Sequence, residues 1–130
     1  MAYLINVATD NSSEPPKRWD PPEDLLELGQ ELLLDLIDLF KSNTDACLTQ
    51  IAALLSRNDY PGVKAQAHKI KGGASQIGAL EMSAACAEVE AAAADPARSG
   101  LVDALKRLEA EYLEVSAEMR ILADGVRISA

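Results

Sequence analysis

Between Leu101 and Leu122 the apolar residues Leu101, Leu105, Leu108, Tyr112, Val115, Met119 and Leu122 recur at alternating steps of four and three. Such steps return a side chain to the same face of an α-helix at every turn, whereas a strand, with its period of two, scatters them. A long helix with one apolar stripe gains most of its stability from whatever covers that stripe, so the rest of the chain must supply packing partners. It does so with the same period. Leu32, Leu33, Leu36, Ile37 and Phe40 predict a helix from about Gln30 to Lys41, and Cys47, Leu48, Ile51, Leu54 and Leu55 predict another ending near Ser56. Between them Ser42-Asn43-Thr44-Asp45, a serine with an acid three residues later, reads as a capping arrangement that restarts or kinks the helix.

Local punctuation sets the other boundaries. Pro22-Glu23-Asp24 opens a short helix that yields near Gly29, with acids facing the positive end of the helix dipole. Asn58 or Asp59 caps a helix with Pro61 in its first turn, and Gly78 stops it after Ile77. A further helix runs from Leu80 to Ala94 and ends at Asp95-Pro96, after which Ser99 caps the long last helix to about Gly125. The apolar content is carried by Ala and Leu, with one Trp, three Tyr and one Phe in 130 residues, which argues against an all-β fold. The expected fold class is all-α: one antiparallel four-helix bundle over residues 23–125 with a short additional N-terminal helix. Residues 126–130 are expected to be a C-terminal tail. Residues 1–22 hold Pro15, Pro16, Pro21 and Pro22 and read as an extended N-terminal tail or linker, with Tyr3–Val7 or Trp19 as the parts that dock on the body.

Charge narrows the partners. Asp and Glu number 21 against 12 Lys and Arg, a formal charge of −9, and such a surface repels phosphate backbones, so no nucleic-acid partner is expected. No stretch of 18 apolar residues is present, and Met1–Asp10 lacks the basic start and apolar run of a signal peptide. The expected setting is the cytoplasm, without a membrane partner. Cys47 and Cys86 lie in apolar helical stretches and read as buried, reduced thiols.

One segment departs from this pattern. Tyr60 through Leu80 carries the only histidine, His68, the lysines Lys64, Lys69 and Lys71, and no acid. It also holds adjacent glycines, Gly72 and Gly73, each costing roughly 1 kcal/mol relative to Ala inside a helix. Val63, Ala67, Ile70, Ala74 and Ile77 form its buried stripe. Lys64, Lys71, Gly72 and Ser75, at offsets of −4, +3, +4 and +7 from His68, share a neighbouring face with the imidazole. A free imidazole, with a pKa of about 6.5, is substantially neutral near pH 7 and therefore nucleophilic. Ammonium groups beside it would stabilise an anion on the ring nitrogen, and the side-chain-free backbone one turn away leaves room for a large partner. Metal binding at His68 is not expected, because lysine and glycine are its turn-spaced neighbours.

Ala67-His68-Lys69-Ile70-Lys71-Gly72-Gly73-Ala74-Ser75-Gln76-Ile77-Gly78-Ala79 resembles the signature of histidine-containing phosphotransfer (HPt) domains, His-x-x-Lys-Gly-Ser/Ala followed by an apolar-Gly-Ala ending. A looser similarity extends over about residues 23–120. The resemblance implies a four-helix bundle in which His68 accepts a phosphoryl group from a receiver-domain aspartate and passes it to another receiver. Lys71 would balance the phosphoryl charge and Gly72 would keep the approach clear, with Lys64, Lys69, Gly73 and Ser75 completing the binding face. Gly73 departs from the pattern, since the family often has Ser or Ala there; Ser75 is the nearby hydroxyl. With no second catalytic group in view, the chain would be a carrier, not an enzyme, and would bind no cofactor itself. Mg²⁺ would belong to the partner receiver domain. Response-regulator receiver domains and a hybrid histidine kinase are the implied partners, and Leu33, Ile37 and Phe40 are candidates for the docking patch as well as for the core. The alternative is a non-phosphorylated helical adaptor or inhibitor that docks on a kinase or receiver. A hydrolase would need a nucleophile and an oriented acid, for which the sequence offers no candidates. The last helix could also dimerise through its seam, but packing within a monomer is the simpler expectation.

Overall fold

Residues 19–129 are described by the computed structural model, with side chains placed through Val126, and they form five α-helices and no strand. These are α1 (Glu23–Leu26), α2 (Gln30–Ser56), α3 (Tyr60–Gln76), α4 (Leu80–Ala94) and α5 (Leu101–Ser129). Short connections at 57–59, 77–79 and 95–100 fold each long helix back along the previous one, giving the all-α four-helix bundle with α1 as the short addition. Among the described residues no helix is long and apolar enough to cross a membrane.

The break expected at Ser42–Asp45 does not occur: α2 is one helix of 27 residues. Its inward face continues through this region, from Leu33, Ile37 and Phe40 to Thr44 and Ile51, and Thr44 is only 3% exposed. The Tyr112 hydroxyl reaches across from α5, 2.7 Å from Asp45 Oδ1 and 3.1 Å from the Lys41 carbonyl oxygen, and pins the region where a kink was expected. A continuous core stripe and a cross-helix hydrogen bond outweigh a local capping pattern.

Asp59 caps α3, accepting from the Gly62 amide at 3.0 Å. At the other end Gly78 adopts φ +83°, and the amides of Gly78 and Ala79 donate to the carbonyls of Ser75 and Ala74. This is the reciprocal helix stop that a left-handed residue permits. A side chain here is excluded twice, because a Cβ would also lie 2.7 Å from Pro22 Cδ. Trp19 is 2% exposed and donates Nε1–H to the Ile77 carbonyl at 2.8 Å, so the chain just before α1 covers the α3–α4 turn. Tyr3–Val7 lies outside the described residues.

Two further boundaries differ from expectation. Ser99 does not cap the last helix, which begins at Leu101 after Gly100. The 95–100 connection is organised by Asp95, whose carboxylate accepts from the amides of Ala97 and Ser99 at 3.1 and 3.0 Å. Helix α5 also continues past Gly125 to Ser129, so most of the expected tail at 126–130 is helical. One exposed glycine costs a helix about 1 kcal/mol and does not force a stop.

The core centres on Met82, Leu108, Met119, Val63, Val89, Val115 and Cys86, all fully buried. Where α3 meets α4, the buried residues include Ala67, Ala74, Ala79 and Ala85. Small side chains allow two helices to approach closely, and this close pairing carries α4 side chains up to the exposed face of α3.

Candidate functional site

His68 lies on the outer face of α3, its side chain 69% exposed. Its Nδ1 is 3.0 Å from Oε1 of Glu90, which α4 brings alongside. The other Glu90 oxygen lies 2.6 Å from Lys71 Nζ, a close ion pair. The Glu90 side chain is only 13% exposed, and Lys71 is about a third exposed. Burial alone would raise the Glu90 carboxyl, but the hydrogen bonds and positive charges of Lys71 and His68 outweigh it and hold the group below the usual carboxylate range. An ionised carboxylate can only accept, so Nδ1 is the donor and, in the neutral ring, Nε2 carries the lone pair. The site therefore presents an oriented imidazole with its nucleophilic nitrogen on the side away from Glu90.

The expected site residues divide into two groups. Lys71 joins His68 through Glu90, and Gly72 is exposed one turn beyond the ring. Lys64 and Lys69 are exposed and make no ion pair among the described residues. Lys69 lines an open groove of about 880 Å³ between α2 and α3, together with Leu36, Leu39, Phe40, Gly72 and Gly73. Ser75 is not brought to the imidazole. It is roughly 10 Å further along the helix axis, and its hydroxyl pairs with Ser83 of α4 at 2.8 Å. Leu33 and Ile37, 4% and 2% exposed, are core and not a docking patch; Phe40 is also buried but lends an edge to the groove. Solvent-facing apolar surface on α2 comes instead from Leu32 and Leu39. Cys47 lines the groove and Cys86 is fully buried, and both are free thiols. Among the described residues no three His, Cys, Asp or Glu side chains cluster as metal ligands would.

The two glycines are not explained by packing inside the molecule. A Cβ on Gly72 would meet no atom within 4 Å, and one on Gly73 would make ordinary contact with Phe40 at 3.6 Å. Gly72→Ala is therefore expected to stabilise the isolated protein by about 1 kcal/mol through helix propensity. Urea unfolding reads this as a higher midpoint with an unchanged slope. A lower midpoint would show that the fold itself requires the glycine.

Glu90 is the residue of the candidate site that reasoning from the sequence missed. The segment around His68 contains no acid, and Glu90 lies 22 residues downstream in an alanine-rich helix. The available signal was register: His68 and Glu90 are nearly equidistant from the stop at Gly78, so an antiparallel pair of helices brings them level.

A comparison with known protein families matches residues 35–118, close to two-thirds of the chain, to the Hpt domain. No curated protein and no solved structure matches the chain. The matched span contains all of α3 and α4 and most of α2 and α5, with His68, Lys71 and Glu90 inside it. On that match, and with the helical bundle it requires in place, the chain belongs to the Hpt domain family.

Proposed function

We propose that the protein is a phosphorelay intermediate in which His68 Nε2 accepts a phosphoryl group from the aspartyl phosphate of one receiver domain and passes it to the aspartate of another. The observation that carries this reading is the 3.0 Å contact between Glu90 and Nδ1, which leaves Nε2 as the nucleophile of an exposed ring. Hpt domains serve histidine phosphotransfer in phosphorelays as carriers without an active site of their own, and they meet response-regulator receiver domains and kinases.

In the forward step the Nε2 lone pair forms a bond to phosphorus as the bond from phosphorus to the donor's carboxylate oxygen breaks. Transfer of this kind depends on charge neutralisation and in-line positioning. Lys71, already held at the site by Glu90, supplies one positive charge, and Mg²⁺ is expected from the receiver. Exposed Gly72 gives a flat approach beside the ring, and the neighbouring α2–α3 groove offers apolar surface for the receiver to cover. A hybrid histidine kinase is a fitting donor of the first receiver. The reading places the protein in the cytoplasm, acting as a monomer and carrying no cofactor of its own.

The test is direct. The purified chain, mixed with a ³²P-labelled receiver domain and Mg²⁺, should gain acid-labile, base-stable label as the receiver loses its own. No transfer from a panel of receivers that label other Hpt domains would reject the reading in favour of a non-phosphorylated adaptor.

A further inference from the structure

The contact between Glu90 and Nδ1 has a second effect once the ring is phosphorylated. When Nε2 bonds to phosphorus while Nδ1 keeps its proton, the ring becomes a cation. In the return step an acceptor oxygen bonds to phosphorus, the N–P bond breaks, and its electron pair goes back to Nε2. With the proton still on Nδ1 the departing group is neutral imidazole. Without it the departing group is imidazolate, a strong base and a poor leaving group. The ability of phosphohistidine to give up its group therefore depends on who holds the Nδ1 proton.

Among the described residues the charged groups facing His68 are few. From its own helix Lys64 and Lys71 stand one turn to either side, and both oppose a positive ring. From α4 comes Glu90, among the described residues the one charged group in direct contact with the imidazole. Cys86, one turn before Glu90, is fully buried and its thiol is pushed up to about 12, so it is neutral throughout the useful range. Glu90 is mostly covered, so water screens it less than an exposed acid. A carboxylate 3.0 Å from a ring N–H favours the protonated ring.

We infer that Glu90 is a positioning residue that retains the Nδ1 proton on phosphorylated His68, keeping the phosphohistidine in its transferable form to higher pH than the ring alone would allow. This rests on His68 being the phosphoryl acceptor. The sign follows from the charge: removing the carboxylate lowers the ring pKa, so a variant without it loses the ring proton at lower pH.

Phosphoramidate tests this without any receiver, because it donates its phosphoryl group to histidine and releases ammonia. Wild type and Glu90→Gln are phosphorylated in this way and titrated by ³¹P and ¹⁵N NMR, and their hydrolysis is followed from pH 5 to 9. Glutamine keeps an oxygen that can accept from Nδ1–H and removes only the charge. The ring of Glu90→Gln should titrate about one unit lower than that of wild type. Between the two midpoints its phosphohistidine should hydrolyse more slowly, by up to about tenfold, and at acid pH the two rates should converge. Superimposable titration curves, or a higher midpoint in Glu90→Gln, would overturn the inference. Glu90→Ala gives a second variant should Glu90→Gln fold poorly: alanine also removes the carboxylate, so its ring should titrate below that of wild type, and a midpoint at or above wild type would also overturn the inference. A wild type with no phosphohistidine resonance would overturn both this inference and the carrier reading, and is recognised by that empty spectrum.

Discussion

The expected result for His68→Gln is a fully folded protein that takes no acid-labile label, from phosphorylated receiver or from phosphoramidate. His68 is the only histidine in the chain, so no second imidazole can substitute. Its side chain is 69% exposed and, among the described residues, its polar contact is with Glu90, so little of the bundle depends on it. Glutamine is a somewhat better helix former than histidine and its amide can still donate to Glu90, so stability should stay within about 0.5 kcal/mol of wild type. Circular dichroism and urea unfolding verify the fold, and the label measures the chemistry. Because the nucleophile itself is gone, labelling should fall to background and not merely slow down. Residual acid-labile label at a substantial fraction of wild type would place the acceptor elsewhere and remove His68 from its role.

Trp19→Ala should produce the largest loss of stability of any substitution considered, about 3–5 kcal/mol. The indole is 2% exposed, so its removal leaves a cavity, and the Ile77 carbonyl loses its 2.8 Å donor. The loss falls where Gly78 ends α3 and Pro22 packs on the turn, so α1 and the α3–α4 connection should loosen together. Against a total of about 5–15 kcal/mol for an ordinary domain, this is a large fraction. Trp19→Phe separates the contributions: it restores much of the volume but not the N–H, and should cost nearer 1–2 kcal/mol. Urea midpoints of the two variants provide the measurement. A cost below about 1 kcal/mol for Trp19→Ala would mean that the segment before α1 lies on the bundle without supporting it.

Periodic features were the most legible in the sequence. The stripe Val63, Ala67, Ile70, Ala74 and Ile77 is buried throughout, and the helix expected from Leu80 to Ala94 has those bounds. Features set by competition between distant parts were not. Ser42–Asp45 has the local grammar of a helix start, but Thr44 belongs to a stripe that extends on both sides, and Tyr112 arrives from a helix far along the chain. Ser99 looked like a cap because it precedes an apolar run, yet Gly100, at φ +76°, stands between it and the helix start at Leu101, and its amide belongs to the Asp95 turn. In the candidate site, His68, Lys71 and Gly72 could be read from one helix, since spacing alone places them on one face. Glu90 could not, because its role comes from the register between α3 and α4, which is fixed by the turn at Gly78 and the small residues that let the helices close. Leu33 and Ile37 illustrate the same limit: an apolar residue on a helix does not announce whether its face looks inward or toward a partner.

The groups that meet at the site, from His68 to Glu90, all belong to one helical hairpin, whereas the groove beside it is built from α2 and α3. Closing a hairpin of this length carries little loop entropy, and contacts so near in sequence form early in a folding chain. On the proposed reading α3 serves both the chemistry and the docking groove, while the α2 wall of the groove is written in a stretch of sequence separate from the hairpin. If receivers dock in that groove, mutation along α2 would re-address the protein to a different partner while the hairpin continues to hold the histidine, its lysine and its carboxylate in the same arrangement.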